Sequence, residues 1–177
     1  MLTSHKLELR AFITNLGKYN EGELVGEWVD FPIDEDEEQE LMERIGIDGE
    51  EYEEYFVTDY EGCVDWHEYF GEYPSIKWLN ETAEKLDDWD DEDLFCAVCE
   101  YEGIDDAIDE DQEDWMLVPN VSTDEDLGYY YAEELEGVDF RGNEMLKNYF
   151  DYEAYGRDIR LESYYGSFTE YGWLERY

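Results

Sequence analysis

Leu7-Glu8-Leu9-Arg10-Ala11-Phe12-Ile13 decides how the fold begins. Leu7, Leu9, Ala11 and Ile13 recur at every second position, the period of a strand that buries one face. The next stretch, Gly17-Lys18-Tyr19-Asn20-Glu21-Gly22, is dense in turn formers and predicts a reversal. A second strand is expected over residues 23–31 and a third over 52–60. Between them Asp34 is placed to cap a helix that carries Leu41, Met42 and Ile45 and closes at Gly46. Residues 1–62 thus read as a small antiparallel sheet with one helix.

From Cys63 onward the apolar period lengthens to three and four. Ser75 is a candidate cap for a helix bearing Ile76, Leu79, Ala83 and Leu86, and Leu94, Phe95, Val98 and Tyr101 continue the pattern, followed by Ile104, Ala107 and Ile108. Residues 63–113 are therefore an acidic helical segment. Residues 115–121 read as a strand, and Thr123 with Asp126 has the spacing of a capping box. A further helix is expected over 143–155, bearing Met145, Leu146, Tyr149 and Phe150, and a terminal hairpin over 157–177 around Gly166. Residues 114–177 then form a mixed domain, and the whole is α+β in three segments.

Fifty-three acids against 11 bases give a formal charge of -42, so the chain repels nucleic acid and anionic membranes and favours basic partners. Acidity of this order usually means disorder. Here 6 Trp, 17 Tyr and 8 Phe are spread along the chain and supply a core, which predicts an ordered protein. A salt-adapted enzyme would share the acidity but does not call for this aromatic content. The first residues lack the apolar region of a secretion signal, and no stretch has the run of apolar residues a membrane helix requires. With three cysteines, an odd number, the chain reads as cytoplasmic and free of a disulfide framework.

The charge is also segregated. Residues 86–140 contain 22 acids and no Lys or Arg, so supporting i, i+4 pairs with bases are not used there. Duplex DNA carries one charge per about 1.7 Å, so a net of -42 corresponds to roughly 70 Å of duplex, or about 20 base pairs. Helical neighbours lie about 5–6 Å apart, so acids at these spacings form rows with phosphate-like separation. The candidate DNA-mimicking surface comprises Asp34, Glu35, Asp36, Glu37 and Glu38 in the first helix and Asp87, Asp88, Asp90, Asp91, Glu92 and Asp93 in the middle. It continues with Glu100, Glu102, Asp105, Asp106, Asp109, Glu110, Asp111, Glu113 and Asp114, and ends with Asp124, Glu125 and Asp126.

Other chemistries are less well served. Cys96-Ala97-Val98-Cys99, with Cys63 and His67, has enough ligands for zinc, but a single CxxC in an apolar helical pattern is read as packing. The acidic clusters lack the Gly and Glu of a calcium loop. With 53 acids a glycosidase-like carboxylate pair arises by chance. His5 lies in the terminal stretch, and neither it nor His67 belongs to a nucleophilic constellation. No catalytic residue, metal or cofactor is expected.

Three stretches add a resemblance: Asn15-Leu16-Gly17-Lys18-Tyr19-Asn20-Glu21-Gly22-Glu23-Leu24-Val25-Gly26, Tyr52-Glu53-Glu54-Tyr55 with Asp59-Tyr60-Glu61, and Asn148-Tyr149-Phe150-Asp151-Tyr152-Glu153-Ala154-Tyr155-Gly156-Arg157-Asp158. On these the chain resembles the ArdA antirestriction proteins carried by plasmids and conjugative transposons. The resemblance implies an elongated, curved homodimer of three-domain chains, mimicking bent duplex DNA in the DNA groove of Type I restriction-modification enzymes. It also implies a dimer contact within residues 114–177. Residues 1–6 and the acidic stretch 34–40 depart from the usual pattern. A rival expectation is an acidic chaperone or adaptor for basic proteins, which needs charge but no duplex-like geometry.

Overall fold

The computed structural model describes residues 7–135, 137–142 and 144–177; His5 and the extension 1–6 lie outside them. The chain is α+β and divides into two compact units, one running to Glu92 and including Ile104–Asp109, the other Asp93–Gly103 with Glu110–Tyr177.

In the first unit, strand β1 (Leu9–Asn15) is followed by helix α1 (Leu16–Asn20), strand β2 (Gly26–Phe31), helix α2 (Glu35–Arg44) and strand β3 (Tyr55–Glu61). The sheet is antiparallel in the order β2-β1-β3, with Leu9, Ala11 and Ile13 of the central strand buried as the alternation requires. The expected reversal after β1 is present and begins with a helical turn. The buried Asn15 explains it: its side-chain oxygen accepts from the Lys18 N–H at 2.9 Å and caps α1, while its amide donates to the carbonyls of Ile45 and Gly46 at 3.0 and 3.2 Å. One residue thereby ties the end of the central strand to the end of α2. Lys18 lies over the Tyr52 ring, and the Tyr52 hydroxyl donates to Glu21 at 3.0 Å. A Cβ at Gly17 would strike that same ring, so glycine is required there. The motif residues at this end therefore hold the fold together.

Helices α3 (Trp66–Phe70) and α4 (Ile76–Leu86) follow, the latter capped by Ser75, with Ile76, Leu79, Ala83 and Leu86 buried. The Tyr55 hydroxyl accepts from the Ile76 N–H, and Asn80 exchanges two hydrogen bonds with the Ile33 backbone at 2.8 Å, fixing α4 beside the sheet. Helix α5 (Glu92–Glu102) buries Leu94, Phe95, Cys96, Ala97 and Val98 within the second unit, and the short α6 (Ile104–Ala107) belongs to the first.

The second unit continues through a 3-10 turn (Gln112–Asp114), strand β4 (Trp115–Pro119), helix α7 (Asp124–Tyr129), a π-helical turn (Tyr130–Glu134) and helices α8 (Glu144–Lys147) and α9 (Tyr152–Glu162). It ends in strands β5 (Gly166–Thr169) and β6 (Gly172–Arg176), forming a second antiparallel sheet in the order β4-β6-β5. Val118, Val121, Leu127 and Trp173 form its core. The single helix expected over 143–155 is corrected: Asn143 lies outside the described residues, and the helical stretch is broken before Asp151, whose side chain accepts from Ala154 N–H at 2.9 Å and caps a new helix. Met145, Leu146 and Tyr149 are exposed, so no burial favours continuing a helix through them. Since α9 runs to Glu162, the hairpin is shorter than expected, and its turn lies at Glu170–Tyr171 instead of at Gly166.

Helices α7 and α9 cross with their backbones in contact. A Cβ at Gly128 would meet the Tyr152 carbonyl, and one at Gly156 would meet the Asp124 carbonyl and the Gly128 nitrogen. Two hydrogen atoms are what allow this approach.

Candidate functional site

Most of the acids named from the sequence are exposed, and the local structure explains why they stand where they do. Asp34 accepts from the Glu37 N–H at 2.8 Å while Glu37 accepts from the Asp34 N–H at 3.0 Å, a reciprocal capping box that opens α2. Glu35, Asp36, Glu37 and Glu38 fill the first turn, where the exposed N–H groups and the helix dipole favour negative charge. The carboxylates of Glu35 and Asp36 make no hydrogen bond or ion pair among the described residues. Their charge is turned to solvent.

In the middle of the chain Trp89 is buried just past α4, and Asp87, Asp88, Asp90 and Asp91 flank it as exposed residues. A buried ring thus anchors a loop that presents carboxylates. Helix α5 repeats the division: five consecutive buried residues are bracketed by exposed Asp93 and Glu100 and half-buried Glu92 and Glu102. Asp105 and Asp106 lie exposed in the first turn of α6, and Asp111 caps the 3-10 turn that carries Glu113 and Asp114.

Several acids of the base-free segment are paired through tertiary structure. Asp109 receives Lys85. Arg176, which lies over the Trp115 ring, approaches Glu110 at 2.7 Å, Asp114 at 3.6 Å and Glu102 at 3.8 Å. Arg160 places a two-pronged fork on Asp124, at 2.6 and 3.0 Å, which holds that carboxyl below the usual carboxylate range. Asp126 is likewise held low, first by the Thr123 hydroxyl in the capping box of α7. Between these anchored groups Asp88, Asp93, Asp105, Asp106, Glu113 and Glu125 are exposed, and their carboxylates make no hydrogen bond or ion pair among the described residues.

Sequence reasoning passed over one acidic loop. Asp48 accepts from the N–H groups of Glu50, Glu51 and Tyr52 at 2.9 to 3.0 Å, which lowers its pKa, and Glu50, Glu51, Glu53 and Glu54 around it are exposed. The signal is present in the sequence as five acids within 48–54. Glu134 was also missed, although it lies in that stretch and is exposed.

The cysteines are buried or half-buried. Cys96 is buried, and burial pushes the Cys99 thiol up to about 12, leaving it protonated and a poor metal ligand. Among the described residues no group of three or more His, Cys, Asp or Glu is arranged to hold a metal. No helix among them is long and apolar enough to cross a membrane.

An ordered α+β protein whose surface is built of carboxylates held at helix starts and buried-ring loops is a candidate for binding basic surfaces. The chain belongs to the ArdA family: the family model described as Antirestriction protein (ArdA) matches residues 11–175 of it. Membership implies antirestriction function through interaction with restriction enzymes. No curated protein matches the chain.

Proposed function

We propose that the chain inhibits Type I restriction-modification enzymes by occupying their DNA-binding groove with carboxylates that stand in for duplex phosphate. The observation that carries this reading is the recurrence of exposed carboxylates without protein partners, from Glu35 and Asp36 through Asp88, Asp93, Asp105, Asp106 and Glu113 to Glu125, on segments fixed by caps and buried rings. A rigid carboxylate accepts Arg forks as phosphate does, and phosphate contacts dominate non-specific DNA affinity, so competition requires no base readout. The inhibitor itself binds no nucleic acid, requires no cofactor and works in the cytoplasm.

The working form is a homodimer joined through residues 114–177. Supporting this, exposed apolar side chains concentrate there: Met145, Leu146, Tyr149, Leu161 and Tyr164 are each more than half exposed. The test is a DNA-binding competition against a Type I enzyme at low salt. Displacement of DNA that weakens as salt is raised is expected; absence of displacement at large protein excess sinks the proposal. Shuffling the acid positions at constant charge should abolish inhibition, whereas a chaperone-like binder would keep its activity.

A further inference from the structure

A recess of about 530 Å³ opens on the second unit between the end of β4 and helices α7 and α9. It is lined by Tyr129, Tyr130 and Tyr152 and by the acids Glu125, Asp126 and Glu134, and among the described residues no Lys or Arg lines it. We infer that this recess takes the guanidinium of an arginine side chain from the protein partner. The inference rests on the reading that the partner is a DNA-binding enzyme with a basic face, and it assigns one specific contact within that interface.

Chemistry and rigidity point the same way. Tyr129 and Tyr152 stand with ring centroids 5.6 Å apart and planes inclined at 51°, and the Tyr152 hydroxyl is held by Glu133. Aromatic faces attract cations, and a guanidinium is weakly hydrated, stacks flat and forks onto carboxylates, which an ammonium does less well. Glu125 and Glu134 are exposed and their carboxylates lack any hydrogen bond or ion pair among the described residues, so they are available to accept such a fork. Asp126 is fixed in the capping box and contributes standing negative charge.

The frame around the recess is fixed before any ligand arrives. The Gly128–Gly156 crossing holds α7 and α9 together, and the Arg160 fork on Asp124 locks them. Past Tyr129 the helix widens into the π turn, with Leu135 N–H donating to the Tyr130 carbonyl at 3.0 Å, and this places Tyr130 and Glu134 on the recess. Such π turns are rare and concentrate at functional sites. The described bases of a second copy are a poor source of the cation. Arg10, Lys18, Arg44, Lys77, Lys85, Arg141, Lys147, Arg157, Arg160 and Arg176 each already lie within 4.0 Å of a carboxylate.

The experiment titrates the full chain with acetyl-Gly-Arg-Gly-amide, and in parallel with the citrulline peptide, which keeps the shape but not the charge. Backbone amide shifts are followed by NMR at low salt. Saturable shifts at Asn120, Val121, Tyr129 and Glu134 with the arginine peptide alone are expected, weakened at least ~3-fold in Tyr129→Leu and in the surface variant Glu134→Gln. Shifts spread evenly over all acidic loops, equal response to citrulline, or unchanged affinity in Glu134→Gln would overturn the inference. The two variants are then compared with the unaltered protein in the DNA competition. If the unaltered protein fails to compete, the proposed function falls; if it competes and both variants match it, the arginine site falls.

Discussion

Helices α2 and α7 open with the same chemistry and end in different circumstances. Each follows a side-chain N-cap, Asp34 or Thr123, in a reciprocal capping box, and each fills its first turn with acids. In α2 the first-turn carboxylates Glu35 and Asp36 face solvent, and the helix is held at its far end, where Arg44 reaches Glu27 of β2 at 2.6 Å. In α7 the first-turn Asp124 is gripped by Arg160, and the helix is pressed against α9 at Gly128. Acid at a helix start is thus a local electrostatic choice. Whether that acid is offered to a partner depends on what the tertiary structure brings to it.

The sharpest way to break the comparison is at the crossing. Alanine in place of a helical glycine normally gains about 1 kcal/mol, but at Gly156 the new Cβ meets backbone of α7 that cannot move aside. Gly156→Ala is expected to destabilise the second unit by about 3 kcal/mol net, with hydrogen-exchange protection lost over β4, α7 and β6 and retained in β1. An unchanged melting temperature would show that the helices do not cross so closely.

Removing the α7 fork comes next. Arg160→Gln should lower the denaturant midpoint at neutral pH. Because the folded pKa of Asp124 is depressed, its contribution is present above the unfolded carboxylate value of about 4 and is lost as pH falls through the lower folded value. The stability gap between Arg160→Gln and the unaltered protein should therefore close as pH falls below about 4. A gap that persists in acid would mean the fork is not what Arg160 supplies.

Where the helices are alike, their variants should be alike. Thr123→Ala and Asp34→Ala each remove one capping box and should each cost about 1 kcal/mol. The smallest effects belong to the solvent-facing acids. Glu35→Gln or Asp105→Asn should change stability by less than about 0.5 kcal/mol. Because many weak, screened contacts share the interface, each should also change inhibition in the competition assay by less than about threefold. One sharp loss among them would replace a distributed surface with a discrete hot spot.

Much of the fold is legible in the sequence where the signal is local. The alternation at Leu9, Ala11 and Ile13 gives the central strand, and Asp34, Ser75 and Thr123 mark three helix starts at the residues where the caps are found. The misread segments had a competing local signal. The reversal between β1 and β2 lies where expected, but Asn15 gives it a helical turn because its side chain accepts from the Lys18 N–H. Asp151 started α9 within what looked like a continuous apolar pattern, because Met145 and Tyr149 stay exposed and no burial favours one long helix.

The candidate site divides in the same way. The number of acids, their crowding into residues 86–140 and their places at helix starts follow from the sequence by itself, since they depend on composition and on neighbours within one helical turn. Which carboxylates remain on offer was decided only in three dimensions. Lys85, Arg160 and Arg176 come from 24, 36 and 66 positions away to neutralise Asp109, Asp124 and Glu110, so a stretch without a single base is not a stretch without counter-charge. Coulomb attraction acts across space, whereas sequence spacing reports only the neighbours along the chain.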